Sequence, residues 1–195
     1  MKNLLLSITV CGIIACGCAQ AKELKTIQLN APDTQRGDAV MTALKNRKST
    51  REFSTKELSL KDLSDLCWSA NGINRPESGK RTAPSAMNKQ DIKVYVCTAD
   101  GSYLYNPQKN TLEPVSSGDV RPLKAPVCLI LVSDTSSNWG AMDAGIVSQN
   151  ISLFCAGTGM ATVPRGSMDK AALKKALKLT GDQTPFLNHP VGYFK

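Results

Sequence analysis

A chain of 195 residues, 42% hydrophobic and 21% charged, has the size and composition of one globular domain and not of a disordered or fibrous protein. Its net charge is +8 and its aromatic content 5%; scattered lysines without stacking aromatics argue against nucleic acid and suit an anionic cofactor or a membrane surface. His189 is the only histidine and no Cys-x-x-Cys occurs, which excludes the usual zinc ligand sets and leaves any hydrolase triad a single base, read as lying in a loop before Pro190.

The N-terminus reads as an export signal over residues 1–21. Lys2 supplies a positive start, Leu4 to Ala15 an apolar run, and Ala19-Gln20-Ala21 a small-x-small cleavage site. The run is too short for a membrane span. Ile13-Ile14-Ala15-Cys16 also reads as a lipobox. Cleavage after Ala21 gives a periplasmic domain; lipidation of Cys16 gives a membrane-anchored lipoprotein. Both readings place the domain outside the cytoplasm. Beyond the signal, Cys67, Cys97, Cys128 and Cys155 each sit in an apolar stretch and read as buried thiols, with pairing open in an oxidising compartment.

Residues 22–36 are polar, aperiodic and contain Pro32, which predicts an extended linker or arm before a domain spanning 37–195. A first helix is expected over Gly37 to Asn46, with Val40, Met41, Ala43 and Leu44 on its buried stripe. Ser59 opens a second, a capping box with Asp62 in place of Glu. Leu60, Leu63, Leu66 and Cys67 recur at helical spacing to a stop at Asn71-Gly72. Residues 74–82 read as a loop. Ile92 to Thr98 alternates as a strand, Asp100-Gly101 turns it toward Tyr103-Leu104-Tyr105, and a short strand surrounds Leu112. Val127 to Val132 is apolar throughout, as a central buried strand should be. Trp139 to Ala156 is the longest helix, apolar on more than one side through Met142, Ile146, Ile151, Leu153 and Phe154. Ser167 is expected to cap a last helix carrying Leu173, Ala176 and Leu177, and Val191 to Phe194 to close the chain as a strand.

Three segments carry chemistry. Arg47-Lys48-Ser49-Thr50-Arg51 packs three cations and two hydroxyls into five residues, an anion receptor by composition and equally the pattern of a solvated charged face. In the 81–90 stretch, Pro84, Ser85 and Asn88 precede a strand, as a capped turn also does. Pro164-Arg165-Gly166 offers backbone amides, with Gly166 able to take a positive φ at a helix start; a plain strand-to-helix turn looks the same.

The order and separation of these segments resemble the nitroreductase superfamily. Its R-[RK]-S-x-R opening is matched by Arg47 to Arg51, its P-S-x-x-N-x-Q by Pro84, Ser85, Asn88 and Gln90, its Pro-x-Gly turn by Pro164 to Gly166, and its final Val-Gly-Tyr strand by Val191 to Tyr193. The middle region is most similar to the azoline-oxidising dehydrogenase branch, through Arg81 to Ala86 and Tyr103 to Pro107. That branch usually has Gly where Met87 stands and Pro where Asp91 stands, and its catalytic Lys and Tyr have no counterpart here.

The resemblance implies an α+β fold: a central, mostly antiparallel sheet flanked by helices, in a homodimer with FMN at the interface. It implies that Arg47, Lys48, Ser49 and Arg51 hold the phosphate and pyrimidine edge, with Lys195 adding a phosphate contact. Pro84, Ser85, Ala86 and Asn88 reach the cofactor from the partner subunit, and Pro164, Arg165 and Gly166 lie near flavin N5. The flavin carries the redox step, so no side chain is singled out as catalytic. The resemblance implies an FMN oxidoreductase that passes electrons or hydride from a donor to a small conjugated acceptor; the export signal adds that it works outside the cytoplasm, where a membrane quinol or a redox protein is the expected donor. The alternatives are a flavin dehydrogenase that oxidises its substrate, and a non-catalytic exported binding protein of the same fold.

Overall fold

The computed structural model describes residues 23–195; the export signal and the lipobox lie outside them. The strands are β1 (Ile27–Gln28), β2 (Ile73–Arg75), β3 (Lys80–Arg81), β4 (Ile92–Cys97), β5 (Gly101–Asn106), β6 (Thr111–Ser117), β7 (Val127–Ser133), β8 (Met160–Thr162) and β9 (Thr184–Tyr193). The helices are α1 (Val40–Asn46), α2 (Leu60–Asn71), α3 (Asn138–Gly157) and α4 (Lys170–Ala176). Seven strands form one sheet in the order β1-β6-β5-β4-β7-β9-β8, every pair antiparallel. β2 and β3 make a separate small hairpin inside the stretch read as a loop.

β7 is buried along its whole length, and alternation sorts its side chains to two faces. Val127, Leu129 and Leu131 join Val94 and Val96 of β4 in the larger core, under α2 and α3. Cys128, Ile130 and Val132 join Tyr95, Leu173 and Leu177 in the smaller one, under α4. Each fully buried aliphatic side chain contributes about 1.5–3 kcal/mol, so the strand read as central is also the energetic spine. The four cysteines among the described residues are free and buried; burial pushes the Cys67 and Cys97 thiols up to about 12.

Several expectations need correction. β9 runs from Thr184 and not from Val191, because Pro185 and Pro190 disguise its first half. β8 pairs only with Val191 to Tyr193, which leaves earlier positions of β9 without a full ladder on that side, where proline is tolerated. His189 is therefore on a strand and fully buried, not in a loop. The cap of α4 is Asp169, whose carboxylate accepts the Ala172 N–H at 2.9 Å; Ser167 lies outside the helix. In α1 only Ala43 is buried; Val40, Met41 and Leu44 are exposed, because a seven-residue helix meets α3 along one narrow face. On α3, Ile151 is core while Trp139, Met142 and Ile146 face outward. In α2, Ser59 accepts the Asp62 N–H as expected, but Leu60 is exposed.

The extended arm is pinned to the domain. Gln28 and Ile27 pair with β6, Leu29 is buried, and Arg36 forms ion pairs with Asp62 and, at 2.9 Å, Asp65 of α2. Burial acts to raise the Asp62 carboxyl, but hydrogen bonds from Ser59, Tyr193 and Arg36 outweigh it and bring it down to about 2.

Candidate functional site

The arginine segment begins where α1 ends. The Arg47 N–H closes the helix on the Ala43 carbonyl at 2.9 Å, and the chain then runs along the sheet edge. The Thr50 N–H donates to the Thr162 carbonyl at 2.9 Å and the Ser54 N–H to the Tyr193 carbonyl at 2.9 Å. These bonds hold the backbone while Arg47, Lys48, Ser49 and Arg51 stay exposed. Neither Arg47 nor Arg51 has an acid partner among the described residues. Lys48 lies 5.2 Å from the centre of the Phe194 ring, and Lys195 lies 3.9 Å from the Glu52 carboxylate. The same cations that the sequence grouped are therefore grouped in space, with their forks free for an anion.

The 164–166 turn joins this group, since it leaves β8 two residues after Thr162. Its geometry differs from expectation. The Arg165 N–H is taken by the Asn188 carbonyl at 2.9 Å, so only Gly166 keeps an amide for a ligand. Gly166 does not adopt a positive φ, and it is not at a helix start. A Cβ added there meets nothing within 4 Å, so a flat group can approach its backbone closely. Pro164 and Gly166 are exposed and Arg165 half-buried.

The third segment lies elsewhere. Ser85 accepts the Gln90 N–H at 2.8 Å, and the Ala86 N–H sits 3.0 Å from both oxygens of Asp143. Pro84 and Asn88 are exposed. Met87, Asn88 and Gln90 have φ of 52°, 53° and 50°, a left-handed conformation that costs a side chain such as Met about a kcal/mol or more. Asp143 is near the start of α3, whereas Gly157, at its end, accepts from the Asp38 N–H beside α1. Their separation of fourteen positions corresponds to about 21 Å of helix. The Thr50–Thr162 bond thus ties the 47–51 segment to the strand that leads into the 164–166 turn, while Asp143 holds the 84–88 loop near the start of α3.

The supporting roles of three residues, Asn188, His189 and Asp143, are not read from the sequence. Asn188, fully buried, clamps the 164–167 turn: its amide donates to the Arg165 carbonyl at 3.0 Å and the Ser167 carbonyl at 3.2 Å. His189 lies between Ser148, at 2.7 Å, and Thr162, at 3.3 Å. The Thr162 hydroxyl donates to the Pro190 carbonyl at 2.9 Å, so the imidazole carries its proton on Nδ1 and accepts at Nε2 from Ser148. Burial holds the ring at about 3, neutral. Asp143 left a trace, being the only charged residue in α3. Asn188 left none, because its partners are backbone carbonyls.

The sequence profile of the Nitroreductase family matches residues 44–193. A nitroreductase-family protein of Methanocaldococcus jannaschii is 27% identical over 86% of this chain and 96% of its own length. A solved nitroreductase-family structure from Ralstonia eutropha is 32% identical, covers all of this chain and 96% of its own, and superposes with a TM-score of 0.82. A chain of the E. coli microcin synthetase complex shares the fold at 16% identity, with a TM-score of 0.61 over 97% of this chain.

Proposed function

The chain belongs to the nitroreductase family, and from that premise we propose that it is an exported, homodimeric FMN-dependent oxidoreductase acting on a small conjugated acceptor. The family is an oxidoreductase family, generally FMN-dependent and typically dimeric. The observation that carries the proposal for this chain is the pair of exposed guanidinium groups, Arg47 and Arg51, without acid partners among the described residues, on a segment hydrogen-bonded to the strand that leads into the Gly166 turn. Phosphate fits this donor set: two planar forks, the Lys48 and Lys195 ammonium groups and the Ser49 hydroxyl.

Bound FMN supplies the electron or hydride transfer. The protein's part is positional. Arg47, Arg51 and Lys195 hold the phosphate; Ser49 and the Gly166 amide meet the flavin's polar edge; Asn188 keeps the 165–167 backbone in place beneath it. A two-fold axis across α3 carries the Pro84-Ser85-Ala86 loop and Asn88 of one protomer to the arginines of the other, which converts their separation within a chain into proximity between chains. The exposed apolar residues Met41, Leu44, Met142 and Ile146 are then covered by the second copy.

The test is cofactor retention. The purified protein should be yellow, and the Arg47→Ala, Arg51→Ala double variant should lose FMN by about 100-fold or more in affinity, at ~1.5–3 kcal/mol for each charge-assisted contact. Full flavin occupancy in the double variant sinks the phosphate assignment.

The export-type N-terminus supports work outside the cytoplasm, where nicotinamide cofactors are scarce and a membrane quinol or a redox protein serves as donor. Stopped-flow bleaching of the bound flavin should be faster with a soluble quinol analogue than with NADH or NADPH. Fast reduction by micromolar NADH, with the protein fractionating in the cytoplasm, defeats this part of the reading.

A further inference from the structure

Two buried acids stand behind the loop that carries Ser85 and Asn88. Asp91, just before β4, is 8% exposed and Asp143, near the start of α3, 3% exposed, where carboxylates rarely sit without full hydrogen bonding. The Asp91 Oδ2 accepts the Ser133 hydroxyl, while its Oδ1, closed to bulk water, has no donor. The two Asp143 oxygens share a single donor, the Ala86 N–H. Two ionised carboxylates leave this set a donor short and place like charges side by side. One retained proton repairs both defects. With Asp143 as the carboxylic acid, its O–H donates to Asp91, whose Oδ1 is the oxygen in need. Its other oxygen accepts the Ala86 N–H, and the Asp91 carboxylate keeps the Ser133 hydroxyl.

Burial raises the Asp143 carboxyl, and Asp91, its hydrogen-bond partner and a like charge, raises it further against the Ala86 N–H. The charged groups around the pair leave the proton in place. On the 84–90 loop, Lys89 is exposed and makes no ion pair with either acid. On β4, Lys93 is paired with Asp134 at 2.6 Å. Asp134, between β7 and α3, is a further acid and accepts the Gln183 amide at 3.0 Å. α3 has no other charged residue. The loop itself needs holding. Met87, Asn88 and Gln90 take positive φ, a region costly to any residue with a side chain. The Ser85 hydroxyl closes the loop on itself through the Gln90 N–H, and the Ala86 N–H on Asp143 ties it to α3.

We propose that Asp91 and Asp143 share one proton and that this proton is a latch. With it, Asp143 positions the Ser85–Asn88 loop through Ala86; without it, the two carboxylates repel and the loop leaves α3. The closed loop binds the proton more tightly than the open one, so opening increases as the pH rises, by up to about tenfold per pH unit. Asp143 is a positioning residue, since it acts through the loop. The consequence for the cofactor rests on the flavin reading above: an open loop no longer reaches FMN, and FMN affinity falls as the pH rises.

Hydrogen exchange at the Ala86 amide of the full chain reads the latch directly, from about pH 5 to about pH 9 and corrected for the intrinsic pH dependence of exchange. Protection of Ala86 should fall with rising pH in the parent protein. Asp143→Asn should stay protected across the range, because its amide N–H replaces the shared proton toward Asp91 while its oxygen accepts the Ala86 N–H. Asp143→Ala, with a thermal melt showing that the domain is folded, should lose protection at every pH. A flat profile in the parent, a profile in Asp143→Asn as steep as the parent's, or full protection in folded Asp143→Ala overturns the proposal. FMN affinity over the same range tests the flavin reading separately. A loop that opens while FMN affinity stays constant upholds the latch and removes the loop from the cofactor site.

Discussion

At the scale of single residues, His189 shows how burial writes a pH dependence into the fold. Its folded value of about 3 lies below the ~6.5 of a free imidazole. The unfolded chain therefore binds the extra proton first as the pH falls. The stability His189 contributes is complete above pH ~6.5 and is lost progressively toward the folded value, by up to ~1.4 kcal/mol per pH unit. Asp143 has the opposite sign: its folded value is raised, so its contribution is present at low pH and lost as pH rises through that value. His189 is the only histidine, which makes the assignment clean. Urea midpoints measured at pH 7, 6 and 5 should fall for the parent protein, and the fall should be absent in His189→Gln. An identical slope in the two proteins assigns the titration elsewhere.

The elements differ in how plainly the sequence announced them. α2 has Ser59 as its cap and Gly72 beyond its end, and both fall within the chain's own local chemistry, so its limits were legible. β7 was legible because both of its faces are buried. β9 was obscured by its prolines and β8 by its three-residue length. The fate of α1 was misread because amphipathic spacing says which residues share a face, not whether that face meets the core or another molecule. For the site, the Arg47 to Arg51 cluster was visible as charge density, whereas Asn188 acts through backbone carbonyls and has no pattern to read. The arm is the element whose weight was least visible. Arg36 neutralises Asp62 and Asp65, two largely buried acids of α2, and Lys61 pairs with Asp33 of the arm at 2.7 Å. Arg36→Ala leaves Asp62 without its cation and Asp65 with only the longer contact to Lys61 at 3.6 Å, a loss on the order of 3 kcal/mol. Denaturant titration should show it, and Lys61→Ala, at an exposed pair, should cost about 1 kcal/mol or less. A larger loss from Lys61 than from Arg36 reverses the account.

For the molecule as a whole, the decisive feature is that two of the segments proposed to hold the flavin, 47–51 and 84–88, stand toward opposite ends of α3 in one chain. Arg47 and Arg51 belong to the end near Gly157, and the Ala86 loop hangs from Asp143 near the start. If one FMN needs both, each site is built from two protomers, and the apolar residues left outward on α1 and α3 have their explanation: Met41 is 77% exposed and Met142 60% exposed in a single chain, apolar area that a second copy buries. Shared sites make a prediction that a dimer with self-contained sites does not. Take one variant with Arg47→Ala and Arg51→Ala, and a second with Ser85→Ala and Asn88→Ala, each depleted of flavin. Refolded together in equal amounts, about half of the dimers are mixed, and each mixed dimer has one site with both halves intact and one with neither. FMN occupancy should therefore return to about a quarter of that of the parent protein, measured by flavin absorbance per chain. Exposure of the interface supplies the companion test: Met142→Glu should yield monomers by light scattering and lose the cofactor together with the dimer. Mixing that restores nothing, or a monomer that still holds its flavin, shows that each chain builds its site alone.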